Sequence, residues 1–348
     1  MNGLGVVLET ARRAKGLTQE ELAQHLGIAQ ATLSRYEHGM REPDDDALSR
    51  IATALDVTSA FLREAGKVRG AVALDAHMRR LKGAKPSEWR RLEARLNIYR
   101  LHAARVFDQI AVHTEHRVPT FNPDETDPVT AARFVRAQWR MPAGPVRGLI
   151  AWLEAAGCVI IEEDFGRVGV DGLSQWIDAL PIILVNSVAP TDRKRLTIVH
   201  ELGHLCLHSG DLSDDIEHDA SLFAAEFLMP MEVIRPSLRN LTIGRLHDLK
   251  LEWAVSMQAL IERAHEGKLI APARRSSLYK ALSARGWRLR EPLSDELAPE
   301  HPSLVTDIGV SLLSQGLSPE EIADVVGYDS PRLARPFLQP GPRLLRAL

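Results

Sequence analysis

Apolar residues recur at helical spacing along most of the chain, and near the N-terminus glycines break that pattern at short intervals. Leu4 to Ala14, Thr18 to Leu26 and Ala29 to Tyr36 each carry an apolar stripe, with Gly16 and Gly27 between them. Short helices joined by tight turns are predicted. Thr18 followed by Glu21 predicts a capping box, in which hydroxyl and carboxylate satisfy free amides at a helix start. Leu48, Ile51, Ala52 and Leu55 extend the stripe and close a small helical domain over residues 1–66.

Residues 67–118 read as a basic helical connector, and 119–128, with Pro119, Pro123 and Pro128 among turn-formers, as a linker. Helical patterns follow at Val129–Arg140 and Val146–Ala156. Cys158–Glu162 and Ile182–Asn186 are continuous apolar runs of strand length. They begin a mixed α+β domain, taken as 129–290. Residues 291–348 form a helical region containing a repeat: Ser318–Gly327 aligns without gaps with Thr18–Gly27, and Leu333 and Arg335 match Leu33 and Arg35. Ser318 and Glu321 predict a second capping box, with Pro319 in the first turn. Pro336 replaces the equivalent of Tyr36, so the last helix of this copy must be short. The expected fold is mainly α with a small α+β part: an all-α helix-turn-helix bundle, a zincin-like domain with a small sheet, and a C-terminal bundle used for packing or protein contact.

The totals describe an ordinary globular protein, with a net charge of -3 over 348 residues. That charge is uneven. Residues 67–105 carry eleven Lys and Arg against three acids, so they can meet a polyanion or simply form a solvated helical face. Residues 1–66 hold seven basic residues against ten acids. With only Cys158 and Cys206 present, neither a disulfide scaffold nor a cysteine-based zinc ribbon is available. No apolar run approaches the ~20 residues that span a bilayer, which predicts a cytoplasmic protein without membrane contact.

The chemistry concentrates at His200-Glu201-Leu202-Gly203-His204. Imidazoles four residues apart share one helical face and can converge on one ion, while the motif gives Glu201 the role of taking a proton from water. Thr191 and Asp192 are placed to cap this helix. A second predicted helix, Ile216 to Met229, offers Glu217 in its first turn as a third ligand. His208, His218 and Asp219 compete for that position, His208 lying one further turn along the same helix. Three protein ligands leave a fourth position for water, the mark of a catalytic rather than structural zinc.

Arg195–His208 together with Glu217–Pro230 resembles the ImmA/IrrE metallopeptidases, and Val170–Ser174 and Ile183–Asn186 extend the likeness over roughly residues 129 to 235. The resemblance implies that His200, His204 and Glu217 bind zinc, that Glu201 is the general base, and that the substrate is a repressor of the phage type. Ser221 stands where many members carry Asn. Likewise Gly16–Ala23, Gly27-Ile28, Thr32–Gly39 and Pro43 resemble the phage-repressor (XRE-type) helix-turn-helix. In that fold Gln30, Ala31, Thr32 and Ser34 face bases, and Gln19 and Arg35 contact phosphates or base edges. The leading expectation is a DNA-associated protease that cleaves a repressor or antitoxin at an operator. The alternatives are a regulator whose zinc fold is sensory or structural, and a toxin–antitoxin component; a homodimer on two half-sites is compatible with each.

Overall fold

Thr18 starts its helix as its spacing from Glu21 predicts: the Glu21 amide donates to Thr18 Oγ1 at 3.2 Å, and the Thr18 amide donates back to Glu21 Oε2 at 2.7 Å. The computed structural model describes residues 3–65, 86–110, 114–166, 170–177, 179–207 and 215–338. They divide into two units, one of residues 1–113, 177–180 and 303–348, the other of 114–176 and 181–302. Each unit has its own core.

In the first unit α1 (Gly3–Lys15), α2 (Gln19–Leu26), α3 (Gln30–Glu37), α4 (Asp45–Ala54) and α5 (Ser59–Ala65) bury Leu8, Leu22, Leu33, Ile51 and Leu62 against one another. α6 (Pro86–Gln109) packs along α1 and adds Leu101 to that core. A buried charge pair locks the bundle. Arg12 on α1 donates from Nε and Nη2 to the two carboxylate oxygens of Glu37 on α3, at 2.6 and 2.9 Å. Residues 66–85, which hold much of the basic stretch, lie outside the described residues.

The second unit contains α7 (Pro128–Gln138), α8 (Leu149–Ala155), β1 (Val159–Glu163), β2 (Gly172–Ile177), β3 (Leu180–Asn186), α9 (Thr191–Leu207), α10 (Ile216–Leu228), α11 (Met231–Ile234), α12 (Ile243–Trp253), α13 (Met257–Glu266) and α14 (Pro272–Ala284). The sheet order is β1-β3-β2, with β1 and β3 parallel. β3 is the middle strand and is buried from Pro181 to Asn186, which accounts for its unbroken apolar run. β2 is a strand that the hydrophobic pattern does not announce. The expected linker is bound into this unit, since the Phe121 amide donates to the Cys206 carbonyl of α9 at 2.7 Å.

The chain then returns to the first unit through α15 (Leu304–Ser314), α16 (Pro319–Val326) and α17 (Arg335–Leu338). The second capping box forms at Ser318 and Glu321, and the helix carrying Pro336 is four residues long. α16 packs on α6, where Arg105 Nε donates to the Val325 carbonyl at 2.9 Å and His102 Nδ1 to that of Val326 at 2.8 Å. Among the described residues, no helix is long and apolar enough to cross a membrane.

Candidate metal centre

α9 is held at both ends before any ligand is considered. At its start Asp192, expected as a capping residue, instead lies buried inside the first turn and pairs with the fully buried Lys250 of α12. A buried cation needs counter-charge more than a helix end needs one acceptor, and Lys250 also donates to Glu291 at 2.8 Å and to Ser294 at 2.9 Å. Arg195 binds the carbonyls of Ala254 and Val146 at 3.1 and 2.6 Å and pairs with Glu300. Towards the other end, Trp176 of β2 donates its indole N–H to the Leu205 carbonyl at 2.9 Å.

α10 lies along α9 with His204 facing Glu217 and His200 facing Ser221, so the two helices run antiparallel. The approach is close because of Gly203. A Cβ there would come within 3.2 Å of the Ala220 backbone and of the Phe223 ring, tighter than side chains tolerate without a shift. The C-terminal end of α10 is anchored by arginines: Arg136 binds the Phe227 carbonyl at 2.6 Å and Arg263 the Met229 carbonyl at 3.0 Å. Arg133 and Arg263 also share the buried Glu226 carboxylate.

This frame brings three predicted residues together. His200 Nε2 and His204 Nε2 are 3.1 Å apart, and the Glu217 carboxylate lies 3.3 Å from the first and 3.6 Å from the second. Ligand atoms on a tetrahedral cation with ~2.1 Å bonds are separated by about 3.4 Å, and the three measured edges bracket that value. Among the described residues these three form the one group of His, Cys, Asp and Glu side chains close enough to share an ion. His218 and Asp219 are not part of it, and His208 lies outside the described residues. Burial works against charge on His200, but its hydrogen bond to the Glu217 carboxylate and the charges of Glu201 and Glu217 outweigh it and hold its pKa above the ordinary value.

Glu201, next to His200 in the chain, is buried, 5% exposed, and Ser174 Oγ of β2 donates to its Oε2 at 2.7 Å. Burial pushes its pKa up to about 6, against the opposing influence of His200 and of the Ser174 hydrogen bond. Ser221, at the position where many ImmA/IrrE sequences carry Asn, donates to the Glu217 carbonyl at 2.8 Å, and its oxygen stands 3.5 Å from His200 Nδ1. That spacing is at the long limit of a hydrogen bond from the ring N–H. Beside His200 and Ser221 opens a cavity of about 530 Å³.

In the first unit α3 presents Gln30, Ala31 and Arg35 exposed and Thr32 and Ser34 partly so. Gln19 is held rather than free, donating to Glu37 and accepting from Gln30, both at 2.7 Å.

The arrangement of helix-turn-helix and paired ligand helices agrees with comparisons to known proteins. Residues 153–265 match the family model of the M78 peptidases, described as the IrrE N-terminal-like domain, and residues 8–62 match the helix-turn-helix family. The chain thus carries a helix-turn-helix domain followed by a metallopeptidase-family domain. Among curated proteins it is similar to the HTH-type transcriptional regulator ImmR of Bacillus subtilis, 39% identical over 59 residues, which is 17% of this chain and 46% of that protein. The uncharacterized HTH-type transcriptional regulator YqaE of the same organism is 42% identical over 55 residues, 16% of this chain and 47% of the relative. This chain spans about half the length of the curated relatives it matches.

Proposed function

We propose that the chain is a cytoplasmic, DNA-associated zinc endopeptidase that controls transcription by cutting a repressor or antitoxin-type partner. The convergence of His200, His204 and Glu217 within 3.1 to 3.6 Å, beside a buried and oriented Glu201, carries this reading. His200, His204 and Glu217 hold the zinc ion, which when bound supplies Lewis-acid polarisation of the scissile carbonyl. Glu201 takes a proton from the attacking water and passes it to the leaving amine. Burial holds its carboxyl above the ordinary value, which favours a carboxylate basic enough to accept that proton. Ser174 keeps the carboxylate oriented. α3 enters the major groove with Gln30, Ala31, Thr32 and Ser34 towards bases, and Gln19 and Arg35 contact phosphates or base edges. The matched relatives are transcriptional regulators by name, which favours DNA as the partner of this domain.

The test is incubation of zinc-loaded protein, beside its Glu201→Gln form, with the helix-turn-helix proteins encoded near its gene. A partner clipped once by the first and left whole by the second is the expected result. Intact partner in both tubes sinks the proteolytic account.

A further inference from the structure

The metal-facing stripes of α9 and α10 continue past the ligands. On α9, Leu196 precedes His200 by four residues as His200 precedes His204, so the three share one helical face. On α10, Ser221 follows Glu217 by four residues, and Ala224 and Ala225 lie one further turn along. Both stripes pass from metal ligands to apolar residues, and the cavity of about 530 Å³ opens there, lined by His200, Ser221, Leu196, Ala224 and Ala225 among others. One helical turn rises ~5.4 Å and an extended peptide advances ~3.4 Å per residue, so a side chain one or two residues from a bond held at the metal centre reaches this space.

The far side is closed by α13, which contributes the small Ala259, and by the segment after α14, which contributes Leu289. The volume falls in the range of ordinary ligand sites. Leu289 is 88% exposed although it borders the cavity. A leucine left in water beside an open apolar wall offers surface that a second apolar group would cover at a gain.

The charged residues of the lining are spent on one another and on neighbours. Asp192 and Glu291 pair with Lys250, and Glu291 also accepts from the Met257 and Gln258 amides at the start of α13, at 2.6 and 3.0 Å. Glu262 pairs with Arg275 and accepts from the Tyr279 hydroxyl. Arg263 pairs with Glu226 and Glu266, and Arg193 with Asp171. Arg288 lies over the Tyr279 ring at 4.8 Å and is exposed, so water screens it. A charged side chain entering the cavity would therefore give up its own hydration and meet walls whose charges are already paired, whereas an apolar one gives up nothing.

We infer that this cavity is a subsite for a bulky apolar side chain of the polypeptide substrate, one or two residues from the scissile bond, packed between Leu196, Ala224, Ala225 and Ala259 and covered by Leu289. The subsite rests on the peptidase reading for its biological meaning, but not for its measurement. Binding of acetyl-leucine amide and of the near-isosteric, polar acetyl-asparagine amide to the full zinc-loaded chain is read by ligand-observed NMR. In parallel, a pool of randomised decapeptides is incubated with the same protein and cut positions are read by mass spectrometry.

The leucine compound is expected to bind about tenfold more tightly than the asparagine compound, as burial of its side chain against apolar walls allows. Ala259→Trp, which fills the cavity, should bring that ratio towards unity. Leu289→Ser, at a position too exposed to matter for folding, should lower it about threefold. Cut bonds in the pool should show Leu, Ile, Met or Phe enriched at one position within two residues of the cut. Equal binding of the two compounds by the unmodified protein, which needs no variant, overturns the inference. So does a leucine preference that neither variant lowers; Leu289→Ser decides alone if Ala259→Trp does not melt cooperatively. Leucine selectivity without any cleavage of the pool leaves the subsite standing and removes the peptidase reading. Cleavage without apolar preference does the reverse.

Discussion

The first and second units both bury histidine, and they do so for opposite ends. In the first, His102 of α6 lies stacked between Phe61 and Tyr328, with ring centroids 4.3 and 4.1 Å away, and spends its Nδ1 proton on the Val326 carbonyl. Its environment pushes the pKa down to about 4, chiefly through burial, so the ring is a neutral packing element. In the second, His200 and His204 turn their Nε2 atoms towards each other and towards Glu217, and carboxylates hold the His200 pKa up. Burial alone therefore says nothing about chemistry. The difference lies in whether ring nitrogens are consumed by the surrounding protein or aimed at a common point.

Exchanging the two kinds of histidine is the hardest test of that distinction. His204→Ala should take the protein from about one zinc per chain to none and abolish cleavage with it, since two protein ligands cannot hold a catalytic site. His102→Ala should leave zinc content unchanged and lower the melting temperature instead. Metal analysis by mass spectrometry beside thermal melts separates them; a His102→Ala protein that loses zinc would erase the contrast. Next in size is Glu37→Ala in the first unit. Glu37 is 5% exposed and takes both hydrogen bonds from Arg12, so its removal strands a buried guanidinium at a cost of about 4 kcal/mol. A urea midpoint indistinguishable from that of the unmodified protein would contradict this.

The parts visible in sequence are those where local spacing does the work. Thr18 and Glu21, Ser318 and Glu321, and His200 and His204 all act across three or four positions, so a helix brings them together whatever the rest of the chain does. Glu217 is reachable because a second helix starts shortly after the first. Ser174 falls within the family resemblance yet has no role legible there, because its contact with Glu201 depends on β2 pairing at the edge of β3, and Gly172–Ile177 shows no apolar alternation to announce a strand. Asp192 reads as a cap for the same reason: its partner Lys250 is 58 residues away. The repeat is legible as a repeat, but its packing against α6 rests on Arg105 and His102, more than 200 residues distant.

His102 offers a pH test of the first unit. Its folded ring stays neutral down to about pH 4, whereas an unfolded histidine protonates near 6.5, so between those values protons favour the unfolded chain. The stability contribution is complete above pH 6.5 and is lost as the pH falls towards 4, amounting to about 3 kcal/mol. Urea unfolding at pH 7.5, 5.5 and 4.5 should show that slope and His102→Gln should flatten it. An unchanged slope in the variant would move the effect elsewhere.

The smallest effect falls on the two capping boxes, and it separates the two copies of the repeat. Both copies have the same local device, with hydroxyl–amide distances of 3.2 Å and carboxylate–amide distances of 2.7 Å, and both helices end at a left-handed glycine, Gly27 or Gly327. Beyond that glycine the copies diverge. α2 leads into the eight-residue α3 with an exposed face, whereas α16 is tied to α6 and leads to a helix shortened at Pro336. Removing one hydroxyl by Thr18→Ala or Ser318→Ala should therefore cost a similar, small amount of stability, about 0.5 kcal/mol, because the lost hydrogen bond is the same. Only Thr18→Ala should weaken DNA binding in a mobility-shift titration, since it loosens the start of the helix that carries Gln19 and supports α3. Equal weakening by Ser318→Ala would mean that the second copy also reads DNA.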